Sequence, residues 1–118
     1  MEDQNPNKRT NLQNRALHKF FSIVSGQLNE LGLTYKYEIQ GVKVELKYTT
    51  ILFKEVFWKD IQKVMFGIDS TTQLTTSRIN SIIDVLTLAF GERDISIVFP
   101  SFQHLLDEQD KIMLKERQ

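Results

Sequence analysis

Cysteine is absent from this chain of 118 residues, and histidine and proline occur only twice each. The absence of cysteine excludes disulfide bonds and zinc sites that use cysteine ligands. Neither His18 nor His104 has a second histidine at metal-ligand spacing, and no serine stands in a nucleophile-elbow context. The sequence therefore supports neither a hydrolytic triad nor a resident metal ion or cofactor.

Long hydrophobic runs are also missing. No apolar run approaches the roughly 20 residues of a membrane span. The segment from Met1 to Asn7 lacks the apolar core of a signal peptide. We therefore expect a cytoplasmic protein that needs no membrane.

Neither sign of charge is in excess over the whole chain, because fifteen basic and fifteen acidic residues cancel. The distribution is nevertheless uneven. Residues 1 to 63 have ten basic and seven acidic groups (10 − 7 = +3), and residues 64 to 118 have five and eight (5 − 8 = −3). No acid occurs between Asp3 and Glu30, so any anion-binding surface is expected near this segment.

Hydrophobic spacing predicts one α+β domain over residues 10 to 118, after a flexible arm over residues 1 to 9. About four helices are expected. The first spans about residues 11 to 31, with Thr10 as its N-cap and Gly32 as its stop. The second follows Thr49 or Thr50 and ends at Gly67, with Trp58 at the margin of its apolar face.

The third helix is predicted to start after Thr75 or Thr76 and to close at Gly91, and Ser101 is the expected cap of the fourth. Two alternating runs on either side of Gln40-Gly41 predict a β-hairpin. Residues 95 to 99 are short, β-branched and apolar, and predict one further short strand.

Polar residues near the start of the first helix are candidates for nucleic-acid binding. Arginine, lysine and asparagine side chains bind phosphate oxygens and base edges. The candidates in this segment are Lys8, Arg9, Asn11, Gln13, Asn14, Arg15 and Lys19. On residue chemistry alone, the favoured interpretation of the same residues is the solvated face of an amphipathic helix.

A second candidate is the hydroxyl-rich turn from Ser70 to Thr76, which includes Thr71 and Thr72 and precedes Arg78. Free N–H groups and hydroxyls at a helix start can bind an anion, and Arg78 could strengthen such a site. The same residues can also serve only to cap the helix.

A third candidate is the Glu-x-Lys pattern of Glu45 and Lys47 on the predicted hairpin, with Glu38 nearby. Some Mg²⁺-dependent nucleases use such a pair, in which the carboxylate holds the metal and the lysine orients the attacking water. The alternative is that these side chains form the solvent face of the hairpin.

Three segments together resemble the phage NinB family, also called Orf recombination proteins. The run from Arg9 to His18 is similar to the family's Arg-Ser/Thr-x-x-Gln-Asn-Arg signature. The Ser70-Thr71-Thr72 segment resembles a second family segment, and the run from Phe90 to Arg93 a third. The order and approximate spacing agree over about residues 9 to 99, whereas the hairpin departs from the family pattern.

The resemblance implies a recombination mediator from a bacteriophage that acts in the bacterial host cytoplasm in DNA recombination and repair. Such proteins are not enzymes. They bind single-stranded DNA as homodimers and help a recombinase load on DNA covered by single-strand-binding protein. By match, the implied DNA-binding residues are Gln13, Asn14, Arg15, Ser70 to Thr72 and Arg93. A protein-interaction module that does not bind DNA is the remaining alternative.

Overall fold

The computed structural model describes the backbone of residues 6–117 and the side chains of residues 11–117. Helix α1 spans Pro6–Glu30, and strands β1 (Tyr35–Ile39) and β2 (Val42–Leu46) follow. Helix α2 (Thr50–Phe53) continues through a π-helical segment (Lys54–Trp58) into α3 (Lys59–Phe66). A 3₁₀ turn (Thr71–Gln73) precedes α4 (Thr76–Glu92), and α5 (Phe102–Glu116) ends the described chain. The α+β prediction is confirmed.

Helix α1 starts earlier than the sequence suggested. Its first residue is Pro6, so residues 6 to 9 of the predicted arm are helical and the rest of that arm lies outside the described residues. Proline suits the first helical turn because its missing N–H would have no partner there. The assignment of Thr10 as N-cap is therefore wrong, since Thr10 lies inside the helix.

The end of α1 is as predicted. Gly32 has a φ of 77°, and its N–H donates to the Asn29 carbonyl at 2.9 Å. The Leu33 N–H donates to the Leu28 carbonyl at 3.1 Å, which completes a Schellman motif. The chain therefore leaves the helix sharply and enters the hairpin.

The β-hairpin is confirmed with the turn at the predicted place. Strands β1 and β2 are antiparallel, with Tyr35 opposite Leu46 and Ile39 opposite Val42. Gln40 and Gly41 have φ values of 49° and 82°, the positive pair that a type I′ turn requires. The carboxamide of Asn29 fixes the chain after β2, because it accepts from the Tyr48 N–H and donates to the Tyr48 carbonyl, both at 2.8 Å.

The π-helical segment places Trp58 in the core and not at the margin predicted for it. The Lys59 N–H donates to the Lys54 carbonyl five residues back, so this turn contains one residue more than an α-helical turn. Phe53 and Trp58, also five residues apart, consequently face the same side, and both are fully buried. In a regular α-helix these two positions would point in clearly different directions.

A cluster of aromatic rings packs on the inner side of α1. Phe20 contacts the rings of Phe21, Trp58 and Phe99 at centroid distances of 6.2, 5.7 and 6.0 Å. Helix α1 contributes to this packing along its inner side, and the helix it contacts most is α5.

The further strand predicted at residues 95–99 is wrong. Within residues 6–117 this segment forms no regular element and pairs with no strand. Its backbone is held by a side chain instead: the Gln27 carboxamide donates to the Val98 carbonyl at 2.6 Å and accepts from the Val98 N–H at 2.8 Å. Ile95 and Phe99 pack against the core, while Val98 is exposed. The segment is therefore apolar because part of it is buried against the core, and not because it belongs to a sheet.

The ends of α4 and α5 largely follow the predicted capping residues. Thr75 caps α4 and Ser101 caps α5, each accepting from the N–H three residues on. The C-terminal end of α4 differs, because Asp94, with a φ of 57°, takes the left-handed conformation in place of Gly91. No helix in residues 6–117 is long and apolar enough to cross a membrane.

Candidate nucleic-acid interface

The outer side of α1 presents polar and basic residues because its inner side is used by the core. Ala16, Leu17 and Phe20 are buried. His18 and Lys19 are exposed, and Asn14 and Arg15 are half-buried. The exposed strip lies between α5 on one side and the start of the π-helical segment with the 3₁₀ turn on the other. We name Asn14, Arg15, His18, Lys19 and Lys54 the basic face.

Two shallow grooves flank this strip and share Asn14 and His18. The first lies between α1 and α5 and has a volume of about 480 Å³; it is lined by Asn14, Arg15, His18, Lys19, Ser22 and Gln109. The second has a volume of about 270 Å³ and is lined by Asn14, Leu17, His18, Phe21, Lys54 and Thr71. None of these lining side chains is a carboxylate, so both grooves favour an anionic ligand.

Arg15 forms a two-pronged ion pair with Glu116 near the C-terminal end of α5. Its Nη1 donates to Oε1 at 2.9 Å, and its Nη2 donates to Oε2 at 3.2 Å. These hydrogen bonds lower the pKa of the Glu116 carboxyl and raise the pKa of the Arg15 guanidinium. The carboxylate takes up the same paired N–H donors that would bind two phosphate oxygens.

The fold brings the two polar segments of the sequence together. Gln13 Nε2 donates to Thr76 Oγ1 at 3.2 Å, which joins α1 to the first residue of α4. Asn14 and Thr71 line the same groove. Residues some sixty positions apart in sequence therefore lie side by side, and Lys54 contributes a third segment to the groove lined by Asn14 and Thr71.

The hydroxyls of the turn are used mainly for capping. Ser70 Oγ lies 2.7 Å from Thr72 Oγ1 and accepts from the Thr72 N–H at 3.3 Å. Thr75 Oγ1 accepts from the Arg78 N–H at 3.2 Å. The guanidinium of Arg78 lies over the Phe66 ring, 5.3 Å from its centroid. Among the residues of this turn, Thr71 lines one of the two grooves described above.

Other candidate residues are not gathered at this surface. Arg93 is the residue after the 17-residue α4, about 25 Å along the helix from the turn. Asn11 is exposed on α1 ahead of the grooves. The side chains of Lys8 and Arg9 lie outside the described residues.

Sequence reasoning missed Lys54, Gln109 and Glu116. Lys54 lies within the second predicted helix, and no motif marks it. Gln109 is nine-tenths buried between α1 and α5 although its residue type favours solvent. Glu116 is 101 positions from Arg15, so no local spacing could have paired them.

The hairpin residues of the nuclease alternative lie on a charged, solvent-facing side. Glu38 is directly opposite Lys43, and Glu45 is opposite Lys36. Glu45 Oε1 also accepts from Thr34 Oγ1 at 2.9 Å. Among the described residues no group of three His, Asp or Glu side chains is arranged to hold a metal ion. The cross-strand pairs match the reading of this side as a solvent face.

No protein-family model, no curated protein and no solved structure matches this chain. A function for it must therefore be argued from its own residues and their geometry.

Proposed function

We propose that this protein binds single-stranded DNA through the basic face. In this proposal it is a phage-type recombination mediator that assists recombinase loading on DNA covered by single-strand-binding protein. It works without a cofactor in the cytoplasm of the bacterial host.

The observation that carries the proposal is the meeting of α1 with the turn before α4. Gln13, Asn14 and Arg15 belong to one segment of the family resemblance and Thr71 to another, and they share one surface. Lys19 and Lys54 supply two cations around the grooves, and Arg15 supplies a third that is paired with Glu116; the described lining residues themselves include no carboxylate. Phosphate oxygens are the natural ligands of such a surface.

The composition of the grooves favours binding to the DNA backbone over reading of bases. Phe21 and His18 carry the aromatic rings among the described lining residues; Phe21 is buried, and the imidazole of His18 is exposed. With a single exposed imidazole and no exposed Phe, Tyr or Trp ring in the grooves, base stacking contributes less than it does in proteins that stack successive bases on several rings. The expected result is weak affinity without sequence preference, which suits a mediator that must release DNA to the recombinase.

Salt dependence tests this proposal. Three phosphate contacts release about 0.7 counterion each on a single strand, so the slope of log K against log salt should be about −2. Raising salt from about 50 to 200 mM should then weaken binding of oligothymidylate roughly 20-fold. Fluorescence anisotropy with a labelled strand measures this. A slope near zero, or binding that requires Mg²⁺, would contradict the proposal.

Neutralising Glu116 should strengthen DNA binding, because this carboxylate occupies the guanidinium donors of Arg15. We expect Glu116→Gln to raise affinity for oligothymidylate about threefold, since an ionised competitor becomes a weaker neutral one. Glu108→Gln is the matched control, with the same substitution on α5 and the same change in net charge. Equal effects of the two variants would show that only overall charge matters.

The same ion pair gives a dependence of stability on pH. Arg15 lowers the folded-state pKa of Glu116 below its ordinary value of about 4.5. The pair therefore stabilises the fold above that ordinary pKa and ceases to do so as pH falls through the lowered one. Urea denaturation should show wild type more stable than Glu116→Gln at neutral pH, with the difference vanishing in acid.

A further inference from the structure

His18 stands between the two grooves of the basic face. It lines both of them together with Asn14, which lies one helical turn earlier on α1. Positions four apart on a helix stand one above the other, about 6 Å apart along the axis, so these two side chains form the ridge between the grooves. A DNA strand that occupies both grooves must therefore cross this ridge.

The cations of the basic face lie on opposite sides of the ridge. Arg15 and Lys19 line the groove beside α5, and Lys54 lines the groove beside the 3₁₀ turn. The ridge has no permanent charge, because Asn14 is a neutral amide and His18 is charged only when its imidazole is protonated. The two cationic grooves are thus joined only in the protonated state of His18.

The surroundings of His18 favour an anion as the partner of its imidazole. The side chain is exposed to solvent. The groups that face it are Arg15 and Lys19 from its own helix, Lys54 from the π-helical segment, and the neutral Gln109 and Thr71 from α5 and the 3₁₀ turn. Glu116 on α5 is held by Arg15. The three cations repel a further positive charge, and a bound phosphate offsets this repulsion.

We propose that protonated His18 binds the phosphate that crosses the ridge, joins the two grooves into one track, and makes DNA binding depend on pH. The inference rests on the proposed function, because it needs a bound strand. Histidine gains its charge between about pH 8 and 5, and the imidazolium has two N–H donors where the neutral ring has one. Each strand that binds at neutral pH therefore draws a proton from the solvent onto the imidazole, so binding tightens as pH falls.

The expected gain corresponds to one added phosphate contact. Affinity for oligothymidylate should rise about fivefold from about pH 8 to 5.5, the gain from one charge-assisted contact. The slope of log K against log salt should steepen from about −2 to about −2.7. Glu116 stays ionised over this range because Arg15 holds the pKa of its carboxyl below the usual value. Thymine does not titrate there, so the charge of the strand is constant. Fluorescence anisotropy at both pH values and several salt concentrations measures affinity and slope.

Three variants separate His18 from other causes of pH dependence. His18→Gln removes the titrating group and should have the same affinity at both pH values. His18→Arg makes the charge permanent and should bind about fivefold tighter than wild type at about pH 8, with no further gain in acid. His104→Gln is the matched control, because His104 is the other histidine of the chain and lines neither groove. It should keep the pH dependence of wild type. Circular dichroism checks the fold of each variant.

Proton NMR of the two imidazoles tests the same proposal without relying on affinity. Adding oligothymidylate should move the titration midpoint of His18 up by about 0.7 pH unit, the linkage equivalent of a fivefold change, and leave that of His104 in place. Wild-type binding that is equal at both pH values overturns the role of His18, as does a His18→Gln variant with the pH dependence of wild type. Either result leaves the DNA-binding proposal standing. Absence of binding at both pH values would contradict the proposed function, and this inference with it.

Discussion

Replacing Arg15, Lys19 and Lys54 together with alanine is expected to weaken binding of single-stranded DNA roughly 100-fold. Each charge-assisted phosphate contact contributes about fivefold, and the three act on one strand. The slope of log K against log salt should fall from about −2 to near zero, because no phosphate contact remains to release counterions. Anisotropy titrations of wild type and variant at several salt concentrations measure both quantities.

The matched control removes three lysines of the hairpin, Lys36, Lys43 and Lys47, and changes net charge by the same amount. It should bind DNA within about threefold of wild type, since screening weakens charges that lie more than about 10 Å from the bound strand. A larger loss in the control than in the triple variant of the basic face would move the DNA site to the hairpin. Metal-dependent cleavage abolished by Lys47→Ala would instead favour the nuclease alternative. Circular dichroism on each variant separates a lost contact from a lost fold.

Truncating Phe20 to alanine is expected to lower the free energy of unfolding by about 3 to 5 kcal/mol. Phe20 is fully buried and contacts three other rings, so its removal leaves a cavity that these rings cannot all fill at once. A domain of this size is typically stable by only about 5 to 15 kcal/mol, so a large part of that stability would be lost. Urea denaturation followed by Trp58 emission measures the midpoint and slope.

Leu88→Ala provides the control for the core prediction. Leu88 lies on α4 with 68% of its surface exposed, so its truncation should change stability by no more than about 0.5 kcal/mol. A similar loss in both variants would mean that the ring cluster around Phe20 is not the main stabilising core. A Phe20→Ala effect below about 1 kcal/mol would have the same meaning.

The sequence by itself determined the starts and ends of those elements whose capping or turn residues lie within a few positions of them. Gly32 predicted the end of α1 because glycine adopts positive φ without strain. Gln40-Gly41 predicted the hairpin turn, and Ser101 predicted the start of α5 through its side-chain oxygen. Asn11, Arg15 and His18 could be placed on one side of the first helix from their spacing of three and four residues.

Tertiary structure decided what depends on distant partners. Trp58 reaches the core because a π-helical turn adds one residue, and no local pattern announces that turn. Residues 95–99 remain unpaired because the Gln27 side chain satisfies the backbone of Val98, a task that a neighbouring strand would otherwise perform. Apolar alternation identified the hairpin, but alternation specifies only that one side is apolar and not whether the same chain covers it. The pairing of Arg15 with Glu116 required the packing of α5 on α1, since an ion pair depends on separation in space and not on separation in sequence.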